Sequence, residues 1–241
     1  MTISYAFRAE RLGLWSLKSN VLVAERMRAT LAWLVAAWIL PLAPASAHPH
    51  VFVDGNVDFV IREGSMLEAV EVTWLFDEFE TLVMLASNGL NLNAEGDLRE
   101  TDRQAVAQLQ SAWPGQVGAS VHLSAGGEPL TLGEPAAMDV GMRDGRLAVT
   151  FSRNLEKPVS LAGRDVEAAF YEPTFFVSFS IAEVSKLLGA PDGCATQLHR
   201  FEPDPEDEKL WAILAGLGRE ETPDIENVGA QFADRITLQC E

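Results

Sequence analysis

Three nitrogen donors fall within three residues of one another in the run Ala45-Ser46-Ala47-His48-Pro49-His50. Ala45-Ser46-Ala47 is a small-x-small box of the kind signal peptidase cuts. Cleavage after Ala47 places a free α-amine on His48, two residues ahead of the His50 imidazole. The amine, the His48 ring and the His50 ring then form the beginning of a site for Ni(II), Co(II), Zn(II) or Cu(II). Pro49 has no amide N–H to lose, which removes the square-planar amine-plus-amide chelate and leaves the amine–imidazole one. Asp54, Glu172, His122 and His199 are further donors that could complete a shell. The competing reading is a solvated terminus that takes up metal only adventitiously. His122 and His199 each sit inside a strand pattern, where a single histidine is more often an ordinary surface or core residue.

A second donor set lies between two predicted helices. Asn91-Leu92-Asn93-Ala94-Glu95-Gly96-Asp97-Leu98-Arg99-Glu100-Thr101-Asp102 has the spacing of an EF-hand loop. Asn91, Asn93 and Glu95 take the first, third and fifth places, with Asp97 alongside. Gly96 takes the sixth, where the chain turns sharply, and Asp102 the twelfth. A neutral Asn stands first, the twelfth ligand is a methylene short of Glu, and Arg99 puts a cation at the ninth. These departures weaken Ca²⁺ binding, so the loop reads as a poor calcium site or as a turn kept without the ion. The two cysteines, Cys194 and Cys240, read as a disulfide in an exported chain; a thiolate metal site is the rival.

The elements that must position these groups follow from periodicity. Ahead of the cleavage box, Arg26 and Arg28 precede an apolar run from Leu31 to Leu42. That run is too short for a membrane span and is broken by Pro41 and Pro44. Residues 1–47 are therefore expected to be a removed signal peptide, with Met27 a plausible start. Residues 48–241 are expected to be a single periplasmic β-rich domain. His50–Ile61 and Met66–Trp74 alternate as strands of a hairpin. Phe76, Phe79, Leu82, Val83, Leu85 and Ala86 recur at helical spacing, and Ala105, Val106, Leu109, Ala112 and Trp113 mark a second helix before Pro114-Gly115. Together they make a helical insertion at about 77–113. Strands are predicted over 117–124, 129–132, 136–143, 146–152, 165–170 and 174–181, with Asp144-Gly145 a hairpin turn. Strands over 194–201 and 234–240 flank a helix carrying Leu210, Trp211 and Leu214 and another over 227–233. The class is α+β, mainly β: an antiparallel β-sandwich-like core with a helix-loop-helix (EF-hand-like) insertion and C-terminal helices.

The chain carries 18 Lys+Arg against 35 Asp+Glu. Five of the basic and two of the acidic residues lie in 1–47, leaving 13 and 33, a formal net charge near −20 for the exported part. Such a domain is repelled by nucleic acid and by anionic membrane surfaces. No phosphate-cradling glycine loop, Gly-x-Ser-x-Gly elbow or HExxH metal-hydrolase motif occurs, and nothing pairs two carboxylates for acid–base work. No enzymatic activity is expected, although copper redox chemistry at a terminal His48 chelate is a weighed alternative.

HPHVFVD behind a signal peptide, TWLFDEFE, the EF-hand-like stretch, DGRLAVTF, YEPTFFVSF and the two late cysteines together resemble the domain of unknown function 1007 family. The likeness runs from about His48 to Ser180 and more loosely through the Cys194 and Cys240 segments. The resemblance implies a periplasmic component of an ABC-type transport system. Association with nickel/cobalt permeases makes divalent metal transport the leading context. Family members often have a fuller acidic loop where this chain has Asn91 and Asp102, and Asp where it has Glu172. The expected function is a periplasmic accessory of a nickel/cobalt or zinc transport system, binding metal through His48 and His50 and partnering a membrane permease. The alternative is a structural module that docks on such a permease without metal.

Overall fold

A computed structural model describes residues 49–62, 64–111, 120–205, 207–218 and 221–240. Residues 1–47, where a signal peptide is expected, His48, Trp113 and Pro114-Gly115 lie outside the described residues. Strand β1 (Val51–Arg62) shows why a sandwich forms: Val51, Val53, Val57, Phe59 and Ile61 alternate onto one buried face. It pairs antiparallel with β2 (Met66–Phe76), which pairs with β6 (Arg146–Ser160). β5 (Ala136–Arg143) closes that side through the Asp144-Gly145 hairpin, both residues at positive φ as a type I′ turn requires. On the other side β1 takes two parallel partners, β8 (Val177–Ile181) and the short β9 (Leu187–Leu188). The first sheet runs β5-β6-β2-β1-β8, with β9 alongside β1. The antiparallel pattern is thus broken at one edge, where β8 returns in the direction of β1.

The second sheet, β10-β11-β7-β3-β4, consists of β10 (Cys194–His199), β11 (Asp234–Cys240), β7 (Val166–Phe170), β3 (Val121–Ala125) and β4 (Glu128–Leu130). Its inward residues Leu123, Phe170, Ile236 and Leu238 share one core with those of the first sheet. Gly55 occupies an inward position of β1 because the Phe170 ring fills the space a Cβ would take. Two polar ties cross between the sheets. Trp74 Nε1 donates to Ser120 Oγ at 3.0 Å, and buried Asp234 accepts the Ile181 amide of β8 at 2.9 Å. Cys194 and Cys240 face each other in the β10–β11 ladder and form a disulfide.

The expected insertion is present as α1 (Glu78–Ser87) and α2 (Glu100–Ser111) between β2 and β3. The C-terminal helices are α3 (Asp207–Ala215) and a 3-10 turn, η1 (Val228–Phe232). Leu210, Leu214, Val228, Phe232 and Phe175 make a smaller second core beneath them. All described residues belong to one unit, Ser46–Glu241. The packed face of α1 differs from the one periodicity suggests: Thr81 is buried and Met84 and Leu85 rest on the core. Phe79, Leu82 and Val83 point outward, the first two 72% and 65% exposed.

Candidate functional site

Four separate stretches of the chain meet at one corner of the first sheet: the start of β1, the β2–α1 junction, the start of β6, and the Tyr171–Ser180 segment. Arg146 holds them together. Its guanidinium donates through Nε to the Phe76 carbonyl at 2.6 Å, through one terminal nitrogen to the Leu75 carbonyl at 2.9 Å, and through the other to Asp54 Oδ2 at 2.7 Å. Asp54 Oδ1 accepts from Ser180 Oγ of β8 at 2.9 Å. A planar fork fits this task because three of its N–H bonds are satisfied in fixed directions at once. Asp77 performs two jobs. One carboxylate oxygen caps α1 by accepting the Glu80 amide at 2.7 Å, and the other accepts the Phe52 amide at 3.2 Å. Thr81 Oγ1 accepts the Leu147 amide at 3.0 Å, fastening α1 to β6.

His50 sits at the edge of this corner. Its amide donates to the Phe176 carbonyl at 2.9 Å, and its ring lies 4.9 Å from the Phe176 ring. Phe176 is in turn placed by Glu172, which is only 5% exposed. The Glu172 carboxylate accepts the Thr174 amide at 2.9 Å, the Thr174 hydroxyl at 2.8 and 3.0 Å, and the Phe176 amide at 2.8 Å. Phe175 adopts φ +60°, an uncommon conformation for an aromatic residue, and is held there by burial in the second core. The backbone of this loop therefore sends one phenylalanine inward and the next outward against His50.

Of the expected metal donors, the structure places His50, Asp54 and Glu172 at this corner; His48 lies outside the described residues. Asp54 and Glu172 are engaged as above. His122 lies on β3, its ring stacked on Tyr171 at 3.9 Å. His199 lies on β10 opposite Arg235. Among the described residues no three His, Cys, Asp or Glu side chains come together as a metal-holding group.

The EF-hand-like loop joins α1 to α2 as expected. Asn93 Oδ1 accepts the Glu95 and Asp97 amides at 3.0 and 2.8 Å, and Gly96 turns the chain at φ +87°. Leu98 packs inward, and Leu92 and Leu98 form a one-residue bridge across the loop. Asp102 binds Arg99 at 2.9 Å, and Asn91 donates to the Gly89 carbonyl at 3.2 Å. The loop closes on its own hydrogen bonds, with Asn93 serving the backbone and Asp102 serving Arg99. Asn91, Asn93, Glu95 and Asp97 are all exposed.

Sequence reasoning missed the role of Arg146, the second role of Asp77 and the loop-building role of Glu172. A signal existed for the first: a single arginine directly after an Asp-Gly turn, at the head of an apolar alternating strand. It also missed the solvent-facing stripe of α1. Phe52 is 53% exposed, with its amide held by the residue that caps that helix.

Residues 33–240 match the profile of a family described as "Protein of unknown function (DUF1007)". An "Uncharacterized protein" of Haemophilus influenzae is 23% identical over 201 residues, an alignment covering 81% of this chain and 92% of that relative. No solved structure matches.

Proposed function

The chain belongs to this family of unknown function, and from that premise we propose that it is an exported accessory component of a divalent transition-metal transport system. In this reading the ion, nickel, cobalt or zinc, is taken up at the mature N-terminus by His48, its α-amine and His50. The observation that carries the reading is the anchoring of His50 by the Phe176 carbonyl and ring. A donor fixed before binding gives up less conformational freedom on chelation than one on a free tail. The Cys194–Cys240 disulfide supports an oxidising, periplasmic location. No helix among the described residues is long and apolar enough to cross a membrane.

The test uses protein exported with its native terminus and titrated with Ni(II), Co(II), Zn(II) and Cu(II) by calorimetry. The expected result is about one ion per chain, with binding weakened by the His48→Ala, His50→Ala double variant or by acetylation of the terminus. Equal binding by wild type and the double variant would end the proposal.

A second reading, docking on a membrane permease, is favoured by the outward face of α1. Phe79, Leu82, Val83 and Ala86 recur at i, i+3, i+4 and i+7 and all except Val83, which is 38% exposed, are well exposed. A solvated helix gains nothing from such a stripe, whereas a helix that packs on another protein requires one. Pull-down of the permease with and without chelator separates the readings. A pure docking module loses capture in a Phe79→Ser, Leu82→Ser variant and is indifferent to chelator.

A further inference from the structure

β1 turns Asp54, Asn56 and Asp58 to the outer face of the first sheet, alternating with the inward Val53, Val57 and Phe59. Asp54 belongs to the Arg146 corner. Asn56 and Asp58 do not, yet they are only 8% and 9% exposed. The 182–186 segment, which carries the chain from β8 to β9, runs along this stretch of β1. The Ala182 amide donates to the Gly55 carbonyl at 3.0 Å, the Lys186 amide to Asp58 Oδ1 at 2.8 Å, and the Phe59 amide to the Lys186 carbonyl at 2.9 Å. Ser185, directly before Lys186, is 8% exposed although its neighbours on both sides are exposed.

Acceptors outnumber donors at this place. Asn56 Nδ2 donates to Asp58 Oδ1 at 2.8 Å, and this bond fixes the amide's orientation, because turning it over would set oxygen against oxygen. Asn56 Oδ1 is shut off from solvent and has no hydrogen-bond partner among the described residues, and Ser185 Oγ is in the same state. A buried polar atom left in this way calls for a partner outside the chain. Asp58 Oδ1 takes two N–H donors, while Oδ2 takes none among the described residues. Across the ladder Asp58 stands directly opposite Glu71 of β2. Opposed residues of an antiparallel pair share one face with Cβ atoms about 5 Å apart, and like charges there repel. Among the described residues no lysine, arginine or histidine forms an ion pair with either carboxylate.

We propose that a calcium ion binds on this face of β1 and β2, held by the Asp58 and Glu71 carboxylates and Asn56 Oδ1, with Ser185 Oγ contributing from the 182–186 segment. Two carboxylates balance a divalent charge. An all-oxygen set that includes a carboxamide suits Ca²⁺, whereas nickel and copper favour nitrogen. A water molecule would give the Asn56 oxygen a proton but would bring no charge to offset two facing carboxylates. The ion ties the β8–β9 connection to β1. It shares no donor with the terminal nitrogens or with the 91–102 loop.

The test is thermal unfolding of the exported, disulfide-closed chain at rising CaCl₂, against KCl of matched ionic strength and against MgCl₂. For a site of about millimolar affinity, 10 mM Ca²⁺ is expected to raise the melting temperature by about 3 °C or more over matched KCl. Mg²⁺ should do less, because it demands a tighter octahedral shell. Glu71→Gln, at an exposed position, removes one ligand and the repulsion together. Without calcium it should melt no lower than wild type, and it should lose most of the calcium shift. A Glu95→Gln, Asp97→Asn variant of the 91–102 loop and the His48→Ala, His50→Ala variant should both keep the full shift. No calcium effect beyond matched KCl, an equal effect of Mg²⁺, a full shift in Glu71→Gln, or loss of the shift in the Glu95→Gln, Asp97→Asn variant would each overturn the proposal.

Discussion

Replacing Glu172 by Gln tests whether the loop that places His50 is built by a buried carboxylate. The two oxygens divide the work: Oε1 accepts the Thr174 amide at 2.9 Å, and Oε2 accepts the Phe176 amide at 2.8 Å. The Thr174 hydroxyl donates to both, at 3.0 and 2.8 Å. A glutamine keeps one of these oxygens and turns an NH₂ toward the other amide, so donor meets donor. A donor left without an acceptor costs about 1–3 kcal/mol, and the bonds lost were to a charged acceptor, toward the upper end. The expected loss is therefore about 2–3 kcal/mol for Glu172→Gln and somewhat more for Glu172→Ala. Thr174→Val, which removes only the hydroxyl, should cost about 1 kcal/mol. Urea unfolding of the oxidised protein measures this as a lowered midpoint at constant slope, about 1 M for the glutamine variant. The His50 ring signals should move in the same variant, because Phe176 loses the bond that seats it. A midpoint for Glu172→Gln within error of wild type, or a larger loss in Thr174→Val, would refute this account of the loop.

Two glycines should resist a single methyl group. Gly55→Ala drives a Cβ into the buried Phe170 ring, and Gly229→Ala drives one into the Glu172 backbone carbonyl. Each is expected to cost roughly 2–3 kcal/mol, seen as a melting point lowered by several degrees in calorimetry. Removing the disulfide by Cys194→Ser with Cys240→Ser releases a loop of sequence separation 46, which chain entropy values at about 4 kcal/mol; the denaturant midpoint should fall accordingly. His122 is held below its ordinary value of 6.5 chiefly by burial. The unfolded chain therefore binds this proton at a higher pH than the folded one. Stability from this group is present above pH 6.5 and declines as pH falls below it. His122→Phe should flatten the stability profile in that range, read by urea midpoints at successive pH values.

The strands of the sandwich were legible because alternation marks a face. Val51 to Ile61 and Met66 to Trp74 announce β1 and β2, and the Asp-Gly pair announces the β5–β6 hairpin. The cysteine pair was legible from its count. Four features were not. The parallel seat of β8 on β1 depends on a crossover, and local pattern carries no information about strand direction. The face of α1 was misjudged because helical spacing shows that an apolar stripe exists and is silent on which side meets the core. Thr81, at a position where an apolar residue would be expected, turned inward instead to accept the Leu147 amide. β6 continues to Ser160, beyond the predicted 152, through a polar stretch that pairs with β2 across a register shift. The corner itself is the least legible of all. Asp54 and Arg146 are 92 residues apart and Asp54 and Ser180 126 apart, so no spacing rule connects them.

That long-range construction separates a real metal site from a tail that happens to chelate. The donors of His48-Pro49-His50 are local and persist in the unfolded chain, whereas the Phe176 anchor exists only when the sandwich is closed. A metal stabilises the fold only to the extent that it binds the folded chain more tightly than the unfolded one. If seating His50 strengthens binding by about tenfold, saturating Ni(II) or Zn(II) should add about 1.4 kcal/mol to the unfolding free energy. Glu172→Gln should lose most of that increment while retaining the chelation of the bare terminus. The measurement is a pair of urea transitions, with metal and with chelator, on wild type and on this variant. Metal that binds wild type with full stoichiometry yet leaves its midpoint unmoved would show that the anchor contributes nothing and that the terminal nitrogens act as a solvated tail.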